Sequence, residues 1–242
     1  MPIQNFEETM AEIAILNPIQ KKMNEYYEAD TPEQVVKELG VEFESLPETI
    51  ELFPDYLLND PEIVGYPDLD TQEEIYDWVE NYLPYSSYSI KDLGCGRGDF
   101  YAYLNRDRYD GERNKLIDYV GMDSNPNMVN IAKQKYPNIQ VLHNDFLDIS
   151  IDTDYSVIIG TLNEDNGNDK WDNFNKTLIH CLSNTKKKII FVLQANSYGF
   201  QGSVDYPIHE LVERLDPNLK FIIDNSKLED IYVLIVHIAD LN

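Results

Sequence analysis

Residues 89–99 read Ser-Ile-Lys-Asp-Leu-Gly-Cys-Gly-Arg-Gly-Asp. A short apolar run ends at Asp92, and Gly94, Gly96 and Gly98 then alternate with Cys95 and Arg97. Glycines at this density let the backbone turn tightly and approach a ligand with no Cβ in the way. Phe100-Tyr101-Ala102-Tyr103-Leu104 can open a helix directly after the loop, with its first amides facing that ligand. The spacing narrows the choice. A dinucleotide-binding loop needs G-x-G-x-x-G. Here Gly98 comes one residue too early, and Asp99 occupies the position of the third glycine.

From Ser87 onward, apolar strands alternate with helical segments, which predicts a parallel α/β sheet. Strands are expected at 88–93, 118–122, 139–143, 155–160 and 188–194, and helices at 98–105, 126–135, 171–182 and 205–215. Two further apolar runs close the chain, Lys220–Asp224 and Ile231–Ile238. The gap between them is too short for a crossover helix, so they must pair antiparallel.

Asp-x-Gly-x-Gly-x-Gly at 92–98 resembles motif I of the class I S-adenosylmethionine-dependent methyltransferases. Tyr119-Val120-Gly121-Met122-Asp123 is similar to that family's second strand with its terminal acid. Ser124-Asn125-Pro126-Asn127-Met128, Ala132 and Tyr136-Pro137 follow its second-helix pattern. Val141–Asp148 resembles its third strand and adenine loop, and Tyr155–Gly160 its fourth strand. The resemblance spans roughly residues 88–165, about a third of the chain.

It implies a Rossmann-like, doubly wound, mostly parallel seven-stranded sheet with an antiparallel last strand, preceded by a helical N-terminal extension. It implies S-adenosyl-L-methionine as cofactor. By resemblance, Gly94, Cys95, Gly96 and Gly98 form the cofactor loop, and Asp92 reaches toward the methionine end. Asp123, followed by Ser124, accepts both ribose hydroxyls. Asp145 accepts from the adenine amine, and the Phe146 amide meets a ring nitrogen. Met128 can pack on adenine. The residues themselves leave alternatives: Asp123 and Asp145 as local caps, Met128 as core, Asp92 as an anchor for loop amides, and Cys95 as packing rather than a nucleophile.

The acceptor side carries less. Gly160-Thr161-Leu162-Asn163-Glu164-Asp165 follows the fourth strand. It lacks the Asp/Asn-Pro-Pro-Tyr/Phe of amino-group methyltransferases acting on bases or glutamine, and neither cysteine follows a proline as cytosine-C5 enzymes require. Positioning supplies much of the rate of methyl transfer from a sulfonium, and an oxygen or nitrogen acceptor can add the help of a general base. Glu164 and His209 are the candidates, with Asn163 orienting the acceptor and Tyr198 lining the mouth.

Charge constrains partners. The 242 residues carry a net charge of −25. Residues 1–85 hold 21 acids against three lysines (−18), and residues 86–242 hold 23 acids against 16 Lys/Arg (−7). Such a field repels phosphate backbones, so nucleic acid is disfavoured. A small molecule or a protein side chain is the expected acceptor. The rival is a non-catalytic protein that keeps the cofactor fold as a binding scaffold.

Two cysteines imply no disulfide framework, no Cys/His cluster has zinc spacing, and no run of 18 apolar residues suggests a membrane span. No basic-then-apolar leader is visible, and a cytoplasmic location is expected. Oligomeric state is not constrained.

Two units are expected: an acidic helical lid over residues 1–85 and a cofactor-binding domain over 86–242. Helical stripes run through Phe6–Leu16, and Thr31–Gly40 has capping residues at its start and a terminal glycine. A capping box at Thr71–Glu74 launches Ile75, Trp78, Val79 and Tyr82. The lid would place Trp78 or Tyr82 near the cofactor cleft.

Overall fold

A computed structural model describes residues 59–106, 117–163, 167–196 and 203–238. Seven strands form one sheet: β1 (Tyr88–Leu93), β2 (Ile117–Asp123), β3 (Val141–His143), β4 (Thr153–Ile159), β5 (Thr185–Gln194), β6 (Lys220–Asp224) and β7 (Ile231–His237). Their order is β3-β2-β1-β4-β5-β7-β6. The first five are parallel, while β7 runs antiparallel to both β5 and β6. The closing pair is therefore reversed, as its short connection requires, and β7 inserts between β5 and β6.

The helices are α1 (Leu69–Glu80), α2 (Asp99–Leu104), α3 (Pro126–Lys135), α4 (Lys170–Asn184) and α5 (Ile208–Arg214). Because β1, β4 and β5 are covered on both faces, they read as near-continuous apolar runs. One face carries Ile90, Tyr155, Val157, Ile190, Val192, Val233 and Ile235 under α1, α2 and α3. The other carries Leu93, Ile158, Ile189, Phe191 and Leu234 under α4 and α5. Among the described residues, no helix is long and apolar enough to cross a membrane.

Two expectations change here. Helix α1 starts at Leu69, because the Asp68 carboxylate accepts the Thr71 amide at 2.7 Å and caps it. Thr71 lies inside the helix rather than at its cap.

More consequentially, α1 lies flat on a sheet face. Ile75, Trp78 and Val79 share one core cluster with β1, β5 and β7, so a boundary at residue 85 cuts through packed core. Trp78 Nε1 donates to Asp224 Oδ2 at 2.6 Å, and the Tyr82 hydroxyl donates to the same oxygen. Asp224 ends β6, four strand spacings from β1, or about 19 Å. Trp78 and Tyr82 therefore do not line a cleft at the end of β1. The stripes at 6–16 and 31–40 lie outside the described residues.

One buried charge was not anticipated. Lys91, in the middle of β1, is fully buried. Its ammonium donates to the carbonyls of Ile151 (2.8 Å) and Asn184 (2.7 Å) and to Asn184 Oδ1. Burial lowers the amine to about 8.

Candidate cofactor site

The strand order reverses between β1 and β4, and open α/β sheets bind ligands beyond the carboxyl ends of the strands at such a point. The glycine loop sits there. The amides of Gly94 and Cys95 both donate to the Met122 carbonyl (2.8 and 3.0 Å), and the Gly96 amide donates to Asp123 Oδ2 at 2.8 Å. These bonds clamp the loop onto the end of β2.

The three glycines serve different ends. Gly94 has φ +78°, and a Cβ there would overlap the Thr161 side chain. At Gly98 (φ +76°) a Cβ would stand 2.7 Å from Ile139 Cδ1. Both are demanded by packing. At Gly96 (φ +52°) a Cβ would meet, among the described residues, only Val64 Cγ1 at 3.7 Å, an ordinary contact, so packing against side chains does not demand a glycine there. Cys95 turns inward: its sulfur would lie 2.7 Å from a Cβ on Gly121, and burial raises its thiol well above the ordinary value. Cys95 contributes backbone and packing, with no nucleophilic or ligand-facing side chain.

Asp123 spends one oxygen on each flanking amide, Gly96 through Oδ2 and Asn125 through Oδ1, both at 2.8 Å. A carboxylate has about four lone-pair sites, so two remain for hydroxyl donors. Burial raises its pKa, while the Asn125 and Gly96 amides and the His143 ring work to lower it. Asp92 is buried, and its Oδ2 accepts the Tyr119 hydroxyl at 2.7 Å. Burial pushes its carboxyl up to about 7, against the Tyr119 bond and with help from the charge of Asp123.

The remaining cofactor candidates divide. Ser124 is exposed, and its carbonyl contacts His143 Nε2 at 3.0 Å. Asp145 is exposed; its Oδ1 accepts the Leu147 amide at 2.9 Å, capping the turn Phe146–Asp148. The capping role is realised there without using the second oxygen. Phe146 is half-buried against the α4 side of the sheet. Met128 is corrected: its side chain is 1% exposed on the inward face of α3 and offers nothing to an adenine ring.

The catalytic candidates fare worse. Asn163 is a structural tie, since its Oδ1 accepts the Gln194 amide (3.1 Å) and its carbonyl accepts the Val204 amide (2.8 Å). It fastens the ends of β4 and β5 to the segment before α5. His209 is exposed on the first turn of α5, a helix that packs through Leu211 on the sheet face, and takes no place beside the glycine loop. Glu164 and Tyr198 lie outside the described residues.

Two contributors were missed. Arg97 is buried and bonds Asp99 Oδ2 through Nε (3.1 Å) and Nη2 (2.9 Å), while its Nη1 donates to the Asp60 carbonyl at 2.7 Å. The chain before α1 is thereby pinned across the glycine loop, with Val64 against Gly96. From sequence, Arg97 is either exposed or paired with a nearby carboxylate; the structure takes the second through Asp99, and nothing in sequence spacing pairs it with residue 60. The second is Asn125. Its Oδ1 accepts the Asn127 and Met128 amides (2.9 and 3.4 Å) and caps α3, as Asn before Pro126 suggests. Its Nδ2 is shielded from solvent and has no hydrogen-bond partner among the described residues.

Comparison with known proteins matches this geometry. A family model described as "Methyltransferase domain" matches residues 90–184. Over these residues the chain is similar to the S-adenosylmethionine-dependent methyltransferases. A curated relative, protein 235L of Invertebrate iridescent virus 6, is named as a methyltransferase and is 28% identical over 74 residues. That stretch covers 31% of this chain and about a quarter of the relative (26%).

Solved structures extend the match in fold. The magnesium protoporphyrin IX methyltransferase of Synechocystis PCC 6803, with S-adenosylmethionine bound, superposes with a TM-score of 0.54 at 13% identity, covering 76% of this chain and 93% of that one. The PH0226 protein of Pyrococcus horikoshii OT3 gives 0.58 at 13%, covering 76% and 99%. At these identities the likeness is one of fold.

The residues of the site fit the family's cofactor, S-adenosylmethionine. Asp123 retains acceptor capacity for a diol, Asp92 presents a buried carboxyl at the end of β1, and the Gly94–Gly98 loop is clamped between them.

Proposed function

We propose that this methyltransferase moves a methyl group from S-adenosylmethionine to a small-molecule or protein side-chain acceptor. The observation that carries the reading is Asp123, fixed by the Gly96 and Asn125 amides at the mouth of the switch point with two acceptor sites to spare. The cofactor supplies a methyl group on a positively charged sulfur, an already activated donor. The chain's task is then chiefly placement. Asp123 holds the ribose, Asp92 faces the methionine end, and Asp145 and the Phe146 amide take the adenine edge. Asn163 fixes the floor on which the acceptor rests rather than moving a proton.

The segment around Asp60–Val64, held over the glycine loop by Arg97, supports a role for the N-terminal part of the chain in shaping the acceptor pocket. The net charge of −25 favours neutral or cationic acceptors over phosphorylated ones. The test is a transfer screen with S-[methyl-³H]adenosylmethionine against amine, carboxylate, phenol and peptide acceptors, with Asp123→Ala as control. Label transfer by the wild type that the variant loses supports the reading. Cofactor binding with no transfer to any acceptor class returns the scaffold alternative.

A further inference from the structure

Strand β6 forms an outer edge of the sheet. Among the described residues no strand pairs beyond it, and its register with β7 runs unbroken from Lys220 to Asp224. Parity decides which of its backbone groups face outward. Between β7 and β5, the Ile238 amide donates to the Lys187 carbonyl (2.8 Å), and the Ala195 amide donates to the Asp230 carbonyl (2.7 Å). The even-numbered residues of β7 therefore turn their backbone polar groups to β5. Val233, Ile235 and His237 turn theirs to β6, where they oppose Asp224, Ile222 and Lys220. Bonded and non-bonded pairs alternate along an antiparallel ladder. Phe221 and Ile223 are thus left with amide and carbonyl both directed away from the sheet.

Open edges are commonly blunted by charge, proline or a bulge. Here charge stands only at the two ends, and Phe221-Ile222-Ile223 between them carries none of the three. Ile222 is 49% exposed. The strand is also its own complement. Laid antiparallel against a second copy, with Ile222 opposite Ile222, it brings each Phe221 opposite an Ile223, and the two pairs exchange four hydrogen bonds. Lys220 then stands opposite the partner's Asp224 at both ends. Centring the pairing on Phe221 or Ile223 instead sets a charge opposite an isoleucine. Lys220, Ile222 and Asp224 share the α1 face, since Asp224 bonds Trp78 while Phe221 and Ile223 pack on the other side. Trp78 and Tyr82 occupy Asp224 Oδ2 and the Ser226 amide one site on Oδ1, which leaves a lone pair on Oδ1 for an ammonium.

We infer that β6 is a self-association edge, at which two copies of this chain join into one continuous sheet with Ile222 on the two-fold axis. The contact is isologous and closes on itself. The axis stands perpendicular to the sheet and reverses strand direction, so the two glycine loops open toward opposite ends of the pair. An edge of five residues is a small contact, and the dimer is reversible and concentration-dependent.

Sedimentation velocity of the full chain over a concentration series tests this, in about 0.15 M salt, which screens the repulsion between two acidic copies beyond about 8 Å. The expected result is a species of twice the 28.1 kDa chain mass that grows with concentration. Ile222→Lys sets two ammonium groups at the axis, where facing Cα atoms stand about 4.5 Å apart. It should be monomeric throughout, melt close to the wild type, and bind S-adenosylhomocysteine as the wild type does. Ile222→Cys should form a disulfide-linked dimer under mild oxidation, because that spacing suits a disulfide. Asn225→Cys is exposed but about 20 Å from its copy across the axis, and should not. The native Cys95 and Cys181 are buried and do not compete.

A wild type that stays monomeric at every concentration overturns the inference. A dimer that survives Ile222→Lys overturns it too, as does Asn225→Cys cross-linking as fast as Ile222→Cys, since either puts the contact elsewhere. If Ile222→Lys melts early, the two cysteine variants decide alone. None of these outcomes touches the cofactor reading, because β6 lies four strands from β1.

Discussion

Replacing Asp224 by alanine tests where α1 sits. Asp224 takes the Trp78 indole at 2.6 Å, the Tyr82 hydroxyl, and the Ser226 amide at 3.0 Å. Burial pushes the carboxyl up, but the bonds from Tyr82, Ser226 and Trp78 together outweigh it and hold it below the usual carboxylate range. Trp78 is 1% exposed, so removing the carboxylate strands its N–H where water cannot replace it. The half-buried Tyr82 can turn to solvent. One orphaned buried donor, plus the loss of a charged acceptor, costs about 1.5–3 kcal/mol. For a chain of this size, that is a melting-temperature drop of about 3–12 °C.

The group's pH dependence has a definite sign. A depressed folded pKa gives stability that is present above the unfolded value, about 3.9, and lost as pH falls through the folded value. The gap between wild type and Asp224→Ala should therefore be flat above about pH 4 and narrow below it. Affinity for S-adenosylhomocysteine should stay within about twofold, because the latch lies four strands from the glycine loop. Thermal melts from pH 3 to 8 and calorimetry read both quantities. An unchanged melt would refute the latch. Lost affinity without lost stability would return Trp78 and Tyr82 to the cleft.

Three further outcomes are expected. Asp123→Ala should weaken S-adenosylhomocysteine binding by about 1.5–3 kcal/mol, roughly ten- to a hundredfold by calorimetry, in a protein that still melts cooperatively. Asp92 titrates near 7 when folded and near 3.9 when unfolded, so the folded state binds the extra proton between those values and stability falls as pH rises across that window. Asp92→Asn should flatten that slope in ligand-free urea titrations at pH 5 and pH 8. Gly94→Ala should cost far more stability than Gly96→Ala, because only the former drives a Cβ into Thr161, whereas Gly96→Ala should mainly cost affinity. Paired melts and titrations separate the two.

The sheet was legible because its strands are short apolar runs separated by capped helices. Asn125-Pro126 marks the start of α3, and the brief link between Asp224 and Ile231 forces the reversed pair. The glycine loop announced itself by spacing. What the sequence concealed is long-range. Nothing local pairs Trp78 with Asp224 across 146 residues, or Arg97 with the carbonyl of Asp60, so α1 read as a lid when it is part of the wall. Nor does any local pattern foretell the burial of Lys91, because its three acceptors come from the 151 and 184 turns. Asn163 and Met128 were misread for a shared reason. Residue type and proximity to a motif give no direction for a side chain, and here Asn163 faces the β5 backbone while Met128 faces the core.

The central claim is that the loop at Gly94–Gly98, with Asp123 beside it, takes S-adenosylmethionine. Isothermal titration of the full chain with S-adenosylhomocysteine and, in parallel, with NAD tests it most directly. The account predicts saturable heat and a raised melting temperature with S-adenosylhomocysteine and little response to NAD. Binding of NAD with neither heat nor thermal shift from S-adenosylhomocysteine would contradict it.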